Sequence, residues 1–318
     1  MKRFLFFPVF CCLFFVSAAQ LSPDSISSAE AQRIIGFLAH DSLKGRGNYT
    51  PQLHTAAQFI AQRFRQAGLT SFSFTKGYFQ PFSHRKAIAD TGGYNPEKIL
   101  LNVIGVLEGK TKSNELVLFS SHYDHVGTER GKIHNGANDN ASGTTALLLL
   151  ADYYARRADN ERTLVFCAFA GEELGLHGSE LFANYLRPDS IVALVNMEMI
   201  GIPQVGKNAL YITGGRYSDF EEMFKKALAG RYKIKREPAE YKELFQRSDN
   251  FPFARLGVPA HTIMTSDDDD KCYHQPCDDV ERIDVENMTQ IIRAIALGCE
   301  GLISGKDTPR RIRKQFEE

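Results

Sequence analysis

The stretch 164-LVFCAFAGEELGLHGSE-180 decides how this chain is read. An apolar run over 164–170 stops at Gly171, and two acids, Glu172 and Glu173, follow at once. Successive rather than alternate apolar positions mark a strand buried on both faces. Paired glutamates are common on solvated surfaces. A functional reading of this pair therefore depends on what the neighbouring strand ends deliver.

Working outward, similar short, branched apolar runs occur at 99–107 (ILLNVIGVL), 115–120 (ELVLFS) and 190–199 (SIVALVNMEM), with later ones at 209–213 and 259–265. Between them lie helical patterns. Residues 28–40 carry Ile34, Ile35 and Leu38 on one face, and 54–67 carry Ala57, Ile60, Ala61 and Phe64 before Gly68. The run 141–158 is apolar enough for a mostly buried helix, 174–186 is a further helical stretch, and 285–303 is the last. Buried strands alternating with helices predict an α/β fold with a mainly parallel, mixed central sheet covered on both faces.

The first residues predict the compartment. Lys2 and Arg3 precede an apolar run over 4–16 and then Ser17-Ala18-Ala19, the pattern of a signal peptide cleaved after Ala19. The run is too short for a membrane span, which needs about 20 apolar residues. No small-residue box leads into Cys11 or Cys12, which argues against a lipid-anchored start. An exported chain, periplasmic or secreted, with no stable membrane insertion after cleavage is the expectation. Residues 20–318 contain no Pro/Ser-rich linker or internal repeat and are read as one domain. Basic and acidic residues balance, 38 against 38, so nucleic acid is not expected as a partner. Cys167 and Cys299 sit in apolar elements and read as buried thiols. Cys272 and Cys277 bracket a loop and are the favoured pair if a disulfide forms.

In parallel α/β folds the functional crevice lies beyond the carboxyl ends of the strands. There this sequence places His122 with Asp124 after 115–120, Glu172 and Glu173 after 162–170, and Glu198 at the end of 190–199. Tyr273 and His274 follow 259–265, and Asp139 stands where the buried helix begins. Two imidazoles and three carboxylates on one rim suit a divalent metal of zinc type and exceed what one catalytic zinc takes. Two ions about 3.5–4 Å apart, sharing one carboxylate, would use all five.

In these residues the chain resembles the co-catalytic zinc aminopeptidases of bacterial leucyl aminopeptidase type, whose relatives include glutamate carboxypeptidases and glutaminyl cyclases. The resemblance covers about 30–300 in seven ordered stretches: 43-LKGRG, 120-SSHYDHVG, 135-NGANDNASG, 169-FAGEELGLHGS, 196-NMEMIG, 248-SDNFPF and 273-YHQPCD. It implies the zinc-exopeptidase three-layer sandwich, with His122, Asp139, Glu173, Glu198 and His274 holding two zinc ions and Asp139 bridging them. It also implies Glu172 as general base, Asp124 orienting the His122 ring through its second nitrogen, Tyr273 donating to the developing oxyanion, and a cis peptide between Asp139 and Asn140. Two positions depart from the family. Glu198 replaces the usual aspartate and adds a methylene, and Asn250 stands where Ser-Asp-His is usual.

The implied activity is hydrolysis of N-terminal residues from peptides. The alternative is glutaminyl cyclisation on a single zinc, in which Asp249 and Glu198 would handle protons. Tryptophans line the cyclase pocket, and this chain has none. A non-catalytic binding module on the same fold is a third reading, opposed by the complete ligand set beside Glu172. His177, four residues after Glu173, offers a competing pair by helical spacing, and His125 reads as a supporting or surface residue rather than a ligand. The run Asp267-Asp268-Asp269-Asp270 reads as a solvated loop.

Overall fold

Eight strands join into one sheet whose central members are buried on both faces. The computed structural model describes residues 21–83, 98–239, 243–313 and 316; the leader expected at 1–19 lies outside them. The strands are β1 (Phe79–Phe82), β2 (Leu100–Leu107), β3 (Lys112–His122), β4 (Gly127–Glu129), β5 (Lys132–His134), β6 (Arg162–Phe169), β7 (Ile191–Met197), β8 (Ala209–Ile212), β9 (Lys233–Ile234) and β10 (Ala260–Met264). The main sheet has the order β1-β2-β6-β3-β7-β10-β8-β9, and β4-β5 form a separate hairpin. The expected mixed sheet has a parallel centre, β6-β3-β7-β10, flanked by β2 and β8 running the other way.

Alternation along the central strands feeds two cores. β6 sends Leu164, Phe166 and Ala168 to one face and Val165, Cys167 and Phe169 to the other. The first face is covered by α1 (Ser28–Leu38), α2 (Pro51–Gln66), α3 (Gly143–Arg157) and, further along the chain, the helix Val285–Gly298. The second is covered by α4 (His177–Ala183) and the short helix Phe251–Arg255. Each fully buried Leu, Ile or Phe contributes about 1.5–3 kcal/mol relative to exposure.

Where expected boundaries moved, the cause is local. Helix α2 starts at Pro51 because Thr50 caps it, its hydroxyl accepting from Leu53 N at 3.2 Å. Helix α4 is shorter than 174–186 because Gly171, Gly175 and Leu176 all take positive φ and shape a turn first. Not anticipated were the edge strands β1 and β9 and the helix Phe220–Leu228. Edge strands of two to four residues carry too little periodicity to be read. Among the described residues no helix is long and apolar enough to cross a membrane.

Candidate metal centre

Parallel strands end on one rim, and the register sets how far each reaches. His122 closes β3 opposite Phe169 of β6, and Ser120 lies beside Asn196 of β7. Beyond β6 the chain turns at Gly171, φ +75°, where an added Cβ would stand 3.0 Å from Leu100 Cδ1. That turn places Glu172 and Glu173 at the rim. Glu198 follows β7 directly.

Asp139 sits in an irregular turn before α3, and its peptide bond to Asn140 is cis. The turn is held by side chains. Asp278 accepts the N–H groups of Asn138 and Asp139 at 2.9 and 3.0 Å, and Asn140 Nδ2 donates to Met197 O at 3.0 Å. His274 lies in the left-handed region, φ +53°, within a loop closed by a disulfide between Cys272 and Cys277.

Asp139 faces both histidines of the set: Oδ1 lies 3.3 Å from His122 Nε2, and Oδ2 lies 3.1 Å from His274 Nε2. Glu173 Oε2 stands 3.2 Å from the same His274 nitrogen. Donor atoms fall into two groups, His125 with Asp139, Glu173 and His274, and His122 with Glu172 and Glu198. His122 Nδ1 donates to the Asp124 carbonyl at 3.2 Å, which leaves the lone pair on Nε2. That Nε2 and His274 Nε2 are both buried without a hydrogen-bond partner. Buried imidazole nitrogens among carboxylates, with no donor between them, match the N/O donor set of a zinc ion.

Burial and mutual repulsion separate the acids. Glu172 is pushed well above the ordinary carboxyl range by burial and by Glu198, Asp249 and Glu173, with His122 opposing. Burial, with Asp139 and against His122 and Ser248, raises Glu198 to about 7. Asp139 is held well below the usual range: burial opposes this, but the imidazoles of His122 and His274 close against its two oxygens prevail. Glu173 is lowered in the same way by His125 and His274. Neighbouring Glu172 and Glu173 therefore occupy unlike environments, the first protonated readily and the second ionised.

Some expected roles change. The Asp124 carboxylate stands 3.9 Å from His122 Nδ1, too far for a hydrogen bond, and the backbone carbonyl of Asp124 takes that nitrogen instead. In the turn after β3 the carbonyl lies nearer that nitrogen than the carboxylate does. The carboxylate instead accepts from Glu172 N, Glu173 N and Asn48 Nδ2. His177 joins neither donor group, because α4 begins at His177 and Glu173 precedes it in the turn. Nor is the acidic run simply solvated: Asp267 is buried and accepts from Gln204 at 3.0 Å, Asp268 pairs with Arg247 at 2.8 Å and Asp270 with Arg282 at 2.8 Å.

Asp249 is fully buried behind Glu172 and Glu198, and burial raises its carboxyl to about 6, with His122 and Ser179 opposing. Glu198 accepts from Ser248 Oγ, which accepts from Asn196 Nδ2 at 2.7 Å, so a buried polar chain supports that acid. Two supporting residues, Arg46 and Asp278, had no role in the sequence reading, and a third, His125, was read there only as a supporting or surface residue. Arg46, inside 43-LKGRG, is buried and donates to the carbonyls of Leu38, Tyr123, Asn135 and Gly136. Asp278 ends 273-YHQPCD, and His125 lies within 120-SSHYDHVG. All three stand inside motif stretches, the only signal that could have found them.

A cavity of about 520 Å³ opens against Glu172, Glu173, Arg247, Phe251, Arg255 and Tyr273. A small recess of about 30 Å³ runs from Asp139, Glu172 and Glu198 to Met199, Leu244 and Met264. Tyr273 borders both and lies stacked on the His274 ring, centroids 4.0 Å apart. A larger cavity of about 650 Å³, between Arg216, Glu221, Arg236 and Phe245, contains none of the donor residues, so it is not the site of the chemistry.

Residues 102–298 match the sequence profile of Peptidase family M28. Aminopeptidase YwaD of Bacillus subtilis (strain 168) is 26% identical over 225 residues, 68% of this chain and 48% of its own. The chain thus spans about half the length of that curated relative. Among solved structures, the zinc aminopeptidase BSAP from Bacillus subtilis superposes with a TM-score of 0.69 at 17% identity, over 92% of this chain and 99% of its own. Porphyromonas gingivalis glutaminyl cyclase gives 0.67 at 15%, over 87% of this chain and 99% of its own. At these identities both are likenesses of fold.

Proposed function

The chain belongs to peptidase family M28, and we propose that it is an exported zinc aminopeptidase that removes N-terminal residues from peptides. The observation that carries this reading is Asp139, set between the two buried, unpartnered nitrogens of His122 and His274 with Glu172 alongside. Asp139, Glu173 and His274 would hold one ion, and His122, Asp139 and Glu198 a second. Bound zinc supplies Lewis-acid polarisation of the scissile carbonyl and brings the pKa of a water to about 7.

The remaining work falls to side chains. Glu172 makes none of the short histidine contacts that engage Glu173, and burial beside Glu198 and Asp249 raises the proton affinity of its carboxylate, which suits a base. It takes the proton of the attacking water and returns it to the leaving amine. The Tyr273 hydroxyl is raised by burial and by Asp139, Glu173 and Glu198, so it remains a donor for the carbonyl oxygen as charge develops there. The cavity beside Glu172 receives the peptide. The charged start and apolar run at the N-terminus support export, and the disulfide agrees with an oxidising compartment.

Glutaminyl cyclisation is the competing chemistry, favoured by one observation: Glu172 at the cavity wall and the buried Glu198 and Asp249 behave as three mutually repelling acids, all raised. One experiment separates the two. Zinc per chain is measured by mass spectrometry, together with turnover of aminoacyl-amides and of glutaminyl peptides. Two zinc ions with amide hydrolysis are expected. One tight zinc, no response to added metal and pyroglutamyl product would replace the peptidase reading with the cyclase.

A further inference from the structure

His125 is buried in the rim, 1% exposed, yet it is absent from the five-ligand set. Its Nδ1 lies 2.9 Å from Glu173 Oε1, while the other oxygen, Oε2, lies 3.2 Å from His274 Nε2. Glu173 is thus divided between two histidines, one per oxygen. The next carboxylate oxygen, Asp139 Oδ2, is 3.7 Å from His125 Nδ1, beyond hydrogen-bond reach. An ionised carboxylate only accepts, so Nδ1 must carry the proton and cannot offer a lone pair to a metal while it serves Glu173.

The ring packs directly against Gly136. A Cβ at Gly136 would stand 2.5 Å from its Cγ and Cδ2, and Gly136, at φ +56°, is tied by its carbonyl to Arg46 Nη2 at 2.9 Å. His125 N donates to Arg46 O at 3.3 Å, and the ring meets His274 edge-on, centroids 5.4 Å apart. Backbone, glycine and neighbouring imidazole together direct Nδ1 at one oxygen of Glu173.

We propose that His125 is a positioning residue: by holding Oε1 of Glu173 it leaves a single oxygen, Oε2, for the zinc ion shared with Asp139 and His274, and so sets the affinity of that site. This rests on the zinc reading above. A partner that orients a ligating carboxylate typically accounts for about 10–100-fold in metal affinity.

The test is release of zinc from the isolated, loaded protein to a competing chelator, for wild type, H125N and H125F. Asparagine keeps a donor where Nδ1 stands, whereas phenylalanine keeps the ring and loses the donor. H125F should release one of its two zinc ions about 10–100-fold more readily while retaining the other, and H125N should behave nearly as wild type. If H125F does not fold, H125A takes its place. In the double variant H125F/E173A the loss should not exceed that of E173A alone, because the donor then has nothing to hold. Release from H125F at the wild-type rate would reduce His125 to packing, and H125N failing as badly as H125F would make the nitrogen a ligand; either overturns the proposal. Wild-type protein without zinc would instead overturn the metal reading itself.

Discussion

The carboxylate of Asp124 accepts the backbone N–H of Glu172, 3.3 Å from Oδ1. Its second oxygen takes the next amide, Glu173 N, at the same distance. One buried acid at the end of β3 thus anchors the turn that presents the paired glutamates after β6.

Removing that anchor is expected to weaken both glutamates together. Asp124→Ala should lower turnover and zinc affinity by about 10–100-fold each, as loss of an outer support does. Zinc release and steady-state turnover measure the two. A loss confined to the ion held by His122 would mean that Asp124 acts through the imidazole after all.

Glu172 and Glu173 should fail in different ways. Glu172→Gln keeps shape and removes the base, so zinc content should stay near wild type while turnover falls about 10²–10⁴-fold. Glu173→Ala should lose zinc along with activity. Metal analysis beside kinetics decides it, and near-normal turnover by Glu172→Gln would remove Glu172 from the role of base.

The disulfide closes the loop that carries Tyr273 and His274. Replacing Cys272 and Cys277 by serine should cost about 2 kcal/mol of stability, from the closure entropy of so short a loop. Zinc should also leave faster through the loosened His274. Thermal unfolding and chelator competition on the double variant report both effects, and unchanged zinc release would assign the bridge to stability alone.

His261 sets a pH dependence away from the metal centre. It is fully buried, with Nδ1 donating to Thr213 O at 2.8 Å and Nε2 2.7 Å from Ser218 Oγ, and burial lowers it to about 4 against the opposing bond to Thr213. The unfolded chain binds this proton from about pH 6.5 downward while the folded one does not. Stability is therefore fully present above pH 6.5 and falls by about 3 kcal/mol as pH drops to 4. Urea unfolding of His261→Gln should show a flatter profile over that window.

Arg46 satisfies four buried carbonyls. Arg46→Met keeps much of the volume and strands those acceptors, so a loss of at least about 3 kcal/mol is expected, read as the shift in the urea midpoint. A midpoint shift below about 1 kcal/mol would show that water reaches the four oxygens.

By itself the sequence determined the central strands, the principal helices and the rim on which the acids and histidines stand. Those features are local: a run such as 164–170 is apolar at every position, a parallel strand leaves its end at a known edge, and the motif stretches supply the order. What each polar atom touches was decided only in three dimensions. Asp124 meets Glu172 across 48 residues of chain, Asp278 meets Asn138 across 140, and Arg46 meets Gly136 across 90. No periodicity carries such pairings, because they follow from sheet register and from where loops cross. The same cause redirected the Asp124 carboxylate from the imidazole to the backbone, and joined His125 to Glu173 from a neighbouring strand end.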